Sequence, residues 1–195
     1  MINQNAEKFI LASVSPRRKL LLDKAGYRFD VIGSGVDESI FSTEGVSSEE
    51  HTKQLALAKA KDVAQKYPAR LVLGADTVVD FDGTIIGKPD NATHAEEITR
   101  KLFSAPHKVI TAVAILHIEK QIEFVQAVTT VVYPKKLTEE QIAEHIRKGD
   151  WQGKAGAYGI QETGDEFVER IEGSYTNVIG LPMELVANLI KPSSE

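Results

Sequence analysis

The chain has 195 residues, 42% of them hydrophobic and 26% charged, and no cysteine. That balance suits one globular domain, or two closely packed lobes sharing a core, and it excludes disulfides and thiolate metal sites. With a net charge of −5 and a pI near 5.6, nonspecific binding to nucleic acid is not expected. Apolar runs such as Val109 to Leu116 fall well short of the ~20 residues that cross a bilayer. Met1 to Lys8 lacks a basic-then-apolar export pattern. A cytoplasmic protein with no membrane partner is therefore expected.

In chain order, Phe9 to Ser13 reads as a short buried strand. Ser15-Pro16 then opens a helix that stops at Gly26, with Ser15 as N-cap and Pro16 at the first helical position. Tyr27 to Gly33 alternates as a second strand. Ser47 or Ser48 starts a long helix that ends near Tyr67-Pro68, with Glu49 and Glu50 in its first turn. Leu71 to Ala75 is a continuous apolar run of the kind found in central strands. Asp82-Gly83, between Val78–Phe81 and Thr84–Ile86, is a strong hairpin signal. Asn91 to Phe103 reads as a helix. Two long strands, Lys108 to Ile118 and Ile122 to Tyr133, flank the turn Glu119-Lys120-Gln121. Thr138 caps a helix over Glu139 to Lys148. Trp151 to Gly180 is glycine-rich and reads as loop and short strand, and Leu181-Pro182 opens a last amphipathic helix to Ile190. The pattern predicts a mixed α/β fold, a twisted sheet with flanking helices, without internal repeats or linkers.

Five segments can carry chemistry. Ser13-Val14-Ser15-Pro16-Arg17-Arg18 sets two hydroxyls and two guanidiniums where a strand becomes a helix, a suitable place for an anion; a capped helix with solvated arginines explains the spacing equally well. Asp76, closing the run Gly74-Ala75-Asp76-Thr77, is expected at a strand's C-terminal edge, where open α/β sheets hold ligands; it could also be a turn former. Asp37-Glu38 in a glycine-flanked loop could ligate Mg²⁺ or be a solvated loop. Lys88 between Gly87 and Pro89 could contact phosphate, and so could Lys59, though neither is distinctive alone. Lys154 to Gln161 has glycines at 153, 156 and 159 around it that permit close approach to a ligand, and Gln161 can donate and accept toward a pyrimidine edge. A glycine-rich turn with a surface Gln fits that string as well. The five histidines show no metal-ligand spacing, and most of them are expected at the surface or half-buried.

Together these segments resemble the Maf family of nucleotide pyrophosphatases, over Phe9 to about Val186. The resemblance is carried by Leu11 to Arg18, Asp37-Glu38, Leu55 to Ala60, Gly74 to Val79, Gly87-Lys88-Pro89, His107 with Thr111-Ala112-Val113, Gly153 to Gln161, and Glu172 to Pro182. It implies a single domain over 1–195 with a fold like the inosine triphosphate pyrophosphatases, two lobes around a cleft, and a possible homodimer. It implies hydrolysis of a nucleoside triphosphate to monophosphate and pyrophosphate with a divalent cation, Mg²⁺ or Mn²⁺. By position, Asp76 matches the family's proton acceptor, and Ser13, Arg18, Glu38, Lys59 and Lys88 match its other polar positions. Asp76 and Glu38 would hold the metal, and Lys154 would contact substrate. Arg17, Thr77 and Gln161 match the positions tied to base preference. The tail resembles the branch acting on dTTP and UTP; the alternatives are 7-methyl-GTP, or nucleotide binding without turnover in control of septum formation. Gln54 stands where the family often has arginine, and Val14 where a smaller residue is commoner.

Overall fold

In the computed structural model, which describes residues 8–158 and 167–191, the first apolar run forms strand β1 (Phe9–Leu11), buried throughout. The chain turns at Ser15 into helix α1 (Pro16–Lys24), with proline opening the helix as expected. Ser15 holds the N-cap place, but its hydroxyl makes no capping bond. The first-turn N–H groups therefore lack the side-chain acceptor that the Ser-Pro signature promised. Strand β2 (Phe29–Val31) pairs parallel with β1.

Helix α2 (Ser48–Lys66) begins where the Ser47 hydroxyl accepts the Glu50 N–H, and Glu49 and Glu50 complement the positive end of its dipole. Its small-residue face, Ala56, Ala60 and Ala64 with Val63, packs on Ile10, Val72, Ala112, Ala114 and Leu116. Each buried valine or leucine of this kind contributes about 1.5–3 kcal/mol.

Strand β3 (Val72–Phe81) corrects the expectation that the strand ends at Asp76. It runs straight through the carboxylate, because strand β5 (His107–His117) is one residue longer and pairs with it from Val72 to Asp80. The ladder tolerates the buried charge because a lysine of α2 meets it. Asp82 and Gly83 both take positive φ, 50° and 77°, and turn β3 into strand β4 (Thr84–Ile86) as the Asp-Gly signal predicts. Helix α3 (Ala92–Leu102) precedes β5, and strand β6 (Ile122–Pro134) returns antiparallel to it. Helix α4 (Glu139–Lys148) starts on a Thr138–Gln141 capping box and ends on Gly149 in the left-handed region.

Strand β7 (Val168–Glu172) completes a seven-stranded mixed sheet in the order β2-β1-β3-β5-β6-β7, with β4 on β3. Helix α5 (Tyr175–Ile179) occupies part of the stretch expected to be loop and strand; Ser174 caps it by accepting the Asn177 N–H. Helix α6 (Met183–Leu189) follows. The expectation of surface histidines is also corrected: His51, His107, His117 and His145 are buried. Internal acceptors make this tolerable for two of them, Leu102 O for His107 and Ala157 O for His145. Among the described residues no helix is long and apolar enough to cross a membrane.

The side-chain alternation of β3 divides its residues between two faces. Gly74, Asp76 and Asp80 face α2, while Leu73, Ala75, Thr77 and Val79 face the opposite layer. Asp76 and Thr77, neighbours in sequence, thus address opposite faces of the sheet. They still reach one cavity, because β1 pairs with β3 only as far as Leu73 and β4 begins only at Val79. Between those points, among the described residues, the β1 side of β3 has no strand beside it.

Candidate functional site

A cleft of about 910 Å³ opens at this gap, outside the carboxyl end of β1. Ser13, Arg17, Arg18, Glu38, Lys59, Asp76, Thr77, Lys88 and Lys154 all line it. Residues from six separate stretches of the chain are thereby brought together. Gln161 lies outside the described residues.

Lys59 is the hub on the α2 side. Its Nζ lies 2.6 Å from Asp76 Oδ1 and 2.7 Å from Glu38 Oε1. Lys59 and Asp76 are buried, whereas the Glu38 side chain is 49% exposed, so Glu38 is the partner free to move into the cleft. Glu38 follows Asp37, whose carboxylate accepts the Ser39 N–H and opens a short 3₁₀ turn at Glu38–Ile40. Partial burial pushes the Glu38 carboxyl up, but the Lys59 hydrogen bond and the charges of Lys59, Lys88 and Arg18 outweigh it and hold it below the usual range. It is ionised at neutral pH.

Arg18 is pinned on the opposite face of the sheet. Its Nε donates to Gly180 O at 2.8 Å, Nη1 to Ser13 Oγ at 3.1 Å and Nη2 to Thr77 Oγ at 3.0 Å. All three acceptors are neutral, so its charge remains available to an anionic ligand. Burial lowers its pKa and Arg17 adds to this, against the pull of Asp76 and Glu38; a guanidinium stays protonated regardless. The Ser13 hydroxyl also accepts the Ser15 N–H at 3.3 Å, which holds the loop entering α1.

The far wall comes from the glycine-rich segment. The Gly156 N–H donates to Gly87 O at 3.2 Å, joining the turn that carries Lys154 to the loop that carries exposed Lys88. Behind it, Tyr158 Oη lies 2.7 Å from His107 Nε2, and His107 Nδ1 lies 3.2 Å from Leu102 O. The carbonyl places the imidazole proton on Nδ1, so the tyrosine donates to Nε2. Burial pushes His107 down to about 4, which keeps it neutral, and raises Tyr158.

Two participants were not legible as site residues. The Gly180 carbonyl orients Arg18, and Thr111 lies against Thr77 at 2.9 Å between hydroxyl oxygens. Backbone carbonyls and buried threonines leave no spacing signal. Among the described residues no group of three or more His, Asp or Glu could cage a metal. Two carboxylates, Asp76 and Glu38, do converge on one cation, the Lys59 ammonium.

With this geometry in view, comparison with known proteins is specific. A dTTP/UTP pyrophosphatase of Geobacillus sp. (strain WCH70) is 45% identical over 185 residues, 95% of this chain and 97% of that one. One of Geotalea uraniireducens is 44% identical over 188 residues, 96% of each chain. One of Ruminiclostridium cellulolyticum is 39% identical over 186 residues, 95% of this chain and 96% of that one. Among solved structures, the Staphylococcus aureus Ham1 protein matches 67% of this chain and 73% of that one at a TM-score of 0.43 and 14% identity, a likeness too slight to argue from. The model of Maf-like proteins matches residues 8–193, and the chain belongs to that family.

Proposed function

We propose that the chain is a nucleoside triphosphate pyrophosphatase that hydrolyses dTTP and UTP, and modified pyrimidine triphosphates, to the monophosphate and pyrophosphate. The observation that carries this reading is the buried Asp76 carboxylate, paired with Lys59 in a cleft whose walls also bring Arg18 and Lys88. The names of the three relatives point to the same substrates.

In this reading Arg18, Lys59 and Lys88 neutralise the triphosphate, and the uncapped first turn of α1 adds backbone N–H donors. Asp76 takes the proton of the water that attacks the α-phosphorus. Pyrophosphate leaves with its charge held by the same cations, so catalysis rests on positioning and preorganised charge rather than a covalent intermediate. Two carboxylates at one cation fit Mg²⁺ or Mn²⁺, which is commonly held by one or two carboxylates together with substrate phosphates. Asp76 and Glu38 would hold that ion, which when bound supplies further neutralisation of phosphate oxygens. Thr77 and Gln161 contact the base, with Arg17, Ser13 and Lys154 around the substrate.

The test is a panel of triphosphates, 7-methyl-GTP included, with wild type and Asp76→Asn. Wild type is expected to prefer UTP and dTTP. The variant should lose about 10²–10⁴-fold in kcat with an unchanged circular dichroism spectrum. Undiminished turnover in Asp76→Asn removes that residue from the mechanism, and preference for 7-methyl-GTP moves the enzyme to another substrate.

A further inference from the structure

The far wall of the cleft contains backbone that would not stay bent by itself. Among the described residues, three besides glycine take positive φ: Asp82, Gln121 and Ala157. Asp82 and Gln121 lie exposed in the turns that join β3 to β4 and β5 to β6, where such backbone is common. Ala157 is fully buried at φ 60°, directly after Gly156 at 73°. A Cβ disfavours that conformation, so the surroundings must impose it. Gly156 presses on β3 so closely that a methyl there would stand 2.9 Å from Val79 Cγ2 and 3.0 Å from Leu102 Cδ1.

Two buried imidazoles hold this bend. His145, on α4, donates from Nε2 to Ala157 O at 2.8 Å. Its Nδ1 is buried without a hydrogen-bond partner among the described residues, so the ring proton belongs on Nε2. His107, at the start of β5, takes the opposite tautomer: Nδ1–H toward Leu102 O, with Nε2 accepting the Tyr158 hydroxyl at 2.7 Å. Tyr158 lines the cleft, but its hydroxyl is engaged with buried His107. An orphaned ring nitrogen and a left-handed alanine are both unfavourable, and they persist where the rest of the structure requires the conformation. What the bend carries is the Gly156 N–H bond to Gly87 O, next to exposed Lys88. The Lys88 charge reaches Glu38 across the cleft and helps keep it ionised.

We propose that His145, His107 and Tyr158 are positioning residues, which clamp residues 156–158 so that the Gly156–Gly87 bond holds Lys88 at the place of the phosphates. The proposal rests on the triphosphate reading above and adds to it what fixes the one cation of that set that the sheet and α2 do not hold. Arg18 is held by Ser13, Thr77 and Gly180, and Lys59 by Asp76 and Glu38. Lys88 depends on its loop.

The experiment measures kcat and KM for UTP with Mg²⁺, well below each melting temperature. The proteins are wild type, Tyr158→Phe, His145→Met, Lys88→Ala, and each of the first two variants combined with Lys88→Ala. Tyr158→Phe keeps the ring and loses only the hydroxyl. With Lys88 present, each clamp variant should lose ~10-fold in kcat/KM. With alanine at 88 that loss should shrink by ~3-fold or more, because no ammonium is left to misplace. A loss of the same size in both backgrounds shows the clamp to be merely structural and overturns the proposal. So does a loss below ~3-fold in both clamp variants with Lys88 present. The tautomers need no variant to fold: ¹⁵N spectra of the wild-type imidazoles at neutral pH should show His145 protonated on Nε2 and His107 on Nδ1, and any other pairing overturns the clamp. A wild type inactive on UTP and dTTP instead overturns the functional reading itself; an active wild type with independent losses overturns the clamp alone.

Discussion

Lys59 is the residue on which the charge balance of the cleft turns. It is buried, and it satisfies one buried carboxylate and one half-exposed carboxylate at once. Replacing it with an apolar chain leaves Asp76 in the interior without its counter-charge, and breaking a buried pair in this way costs about 3–5 kcal/mol. Glu38 escapes most of that penalty, because it can turn into water. Lys59→Met is therefore expected to lower stability by a few kcal/mol, nearer ~3 than ~5, and to lose at least ~100-fold in activity. The same variant tests the metal reading without any assay of turnover. With the ammonium gone, Mg²⁺ should raise the melting temperature of Lys59→Met more than that of wild type, because two carboxylates then lack an internal cation. Equal shifts in the two proteins would contradict a cation held by Asp76 and Glu38.

At the scale of elements, the site depends on how closely α2 lies on β3. A methyl group at Gly74 would stand 2.5 Å from Ala56 O and 2.8 Å from both the backbone nitrogen and the Cβ of Ala60. Backbone and a helical Cβ cannot move aside as a flexible side-chain tip can. Gly74→Ala should push α2 off the sheet, destabilise by about 1–3 kcal/mol and carry Lys59 away from Asp76. Denaturant unfolding and kcat measured together check this, and a variant with wild-type stability and rate would show that the close approach is not required. Much at this scale was legible in the sequence. The Asp82-Gly83 turn, the limits of α2 and the capping box of α4 rest on chemistry within a few residues. Asp76 was misplaced at a strand end because a charge after an apolar run looks like a boundary. Only the partner strand β5 and Lys59, 17 residues away, make it an interior position. Helix α5 was missed because its five residues have too short a pattern to register, and its cap, Ser174, sits in a glycine-rich stretch.

Across the whole molecule, the site is a product of topology. β1 ends early, β4 starts late, and the uncovered stretch of β3 between them lets both faces of the sheet open on one cleft. Each site residue taken singly had a plain structural explanation in the sequence. Their convergence was legible only through the family resemblance, because the contacts span the chain: Arg18 meets Gly180 at a separation of 162 residues, and Thr111 meets Asn177 at 66. No local pattern encodes such pairs. The buried place of His107 was unreadable for the same reason, since the hydroxyl at its Nε2 is that of Tyr158, 51 residues away.

The central claim, that the cleft directs water to the α-phosphorus of a pyrimidine nucleoside triphosphate, is tested most directly by turnover of UTP with Mg²⁺ in ¹⁸O-labelled water, followed by mass spectrometry of both products. The account predicts UMP and pyrophosphate in equal amounts, with the label in the phosphate of UMP. Label in pyrophosphate, or release of UDP and orthophosphate, would contradict it.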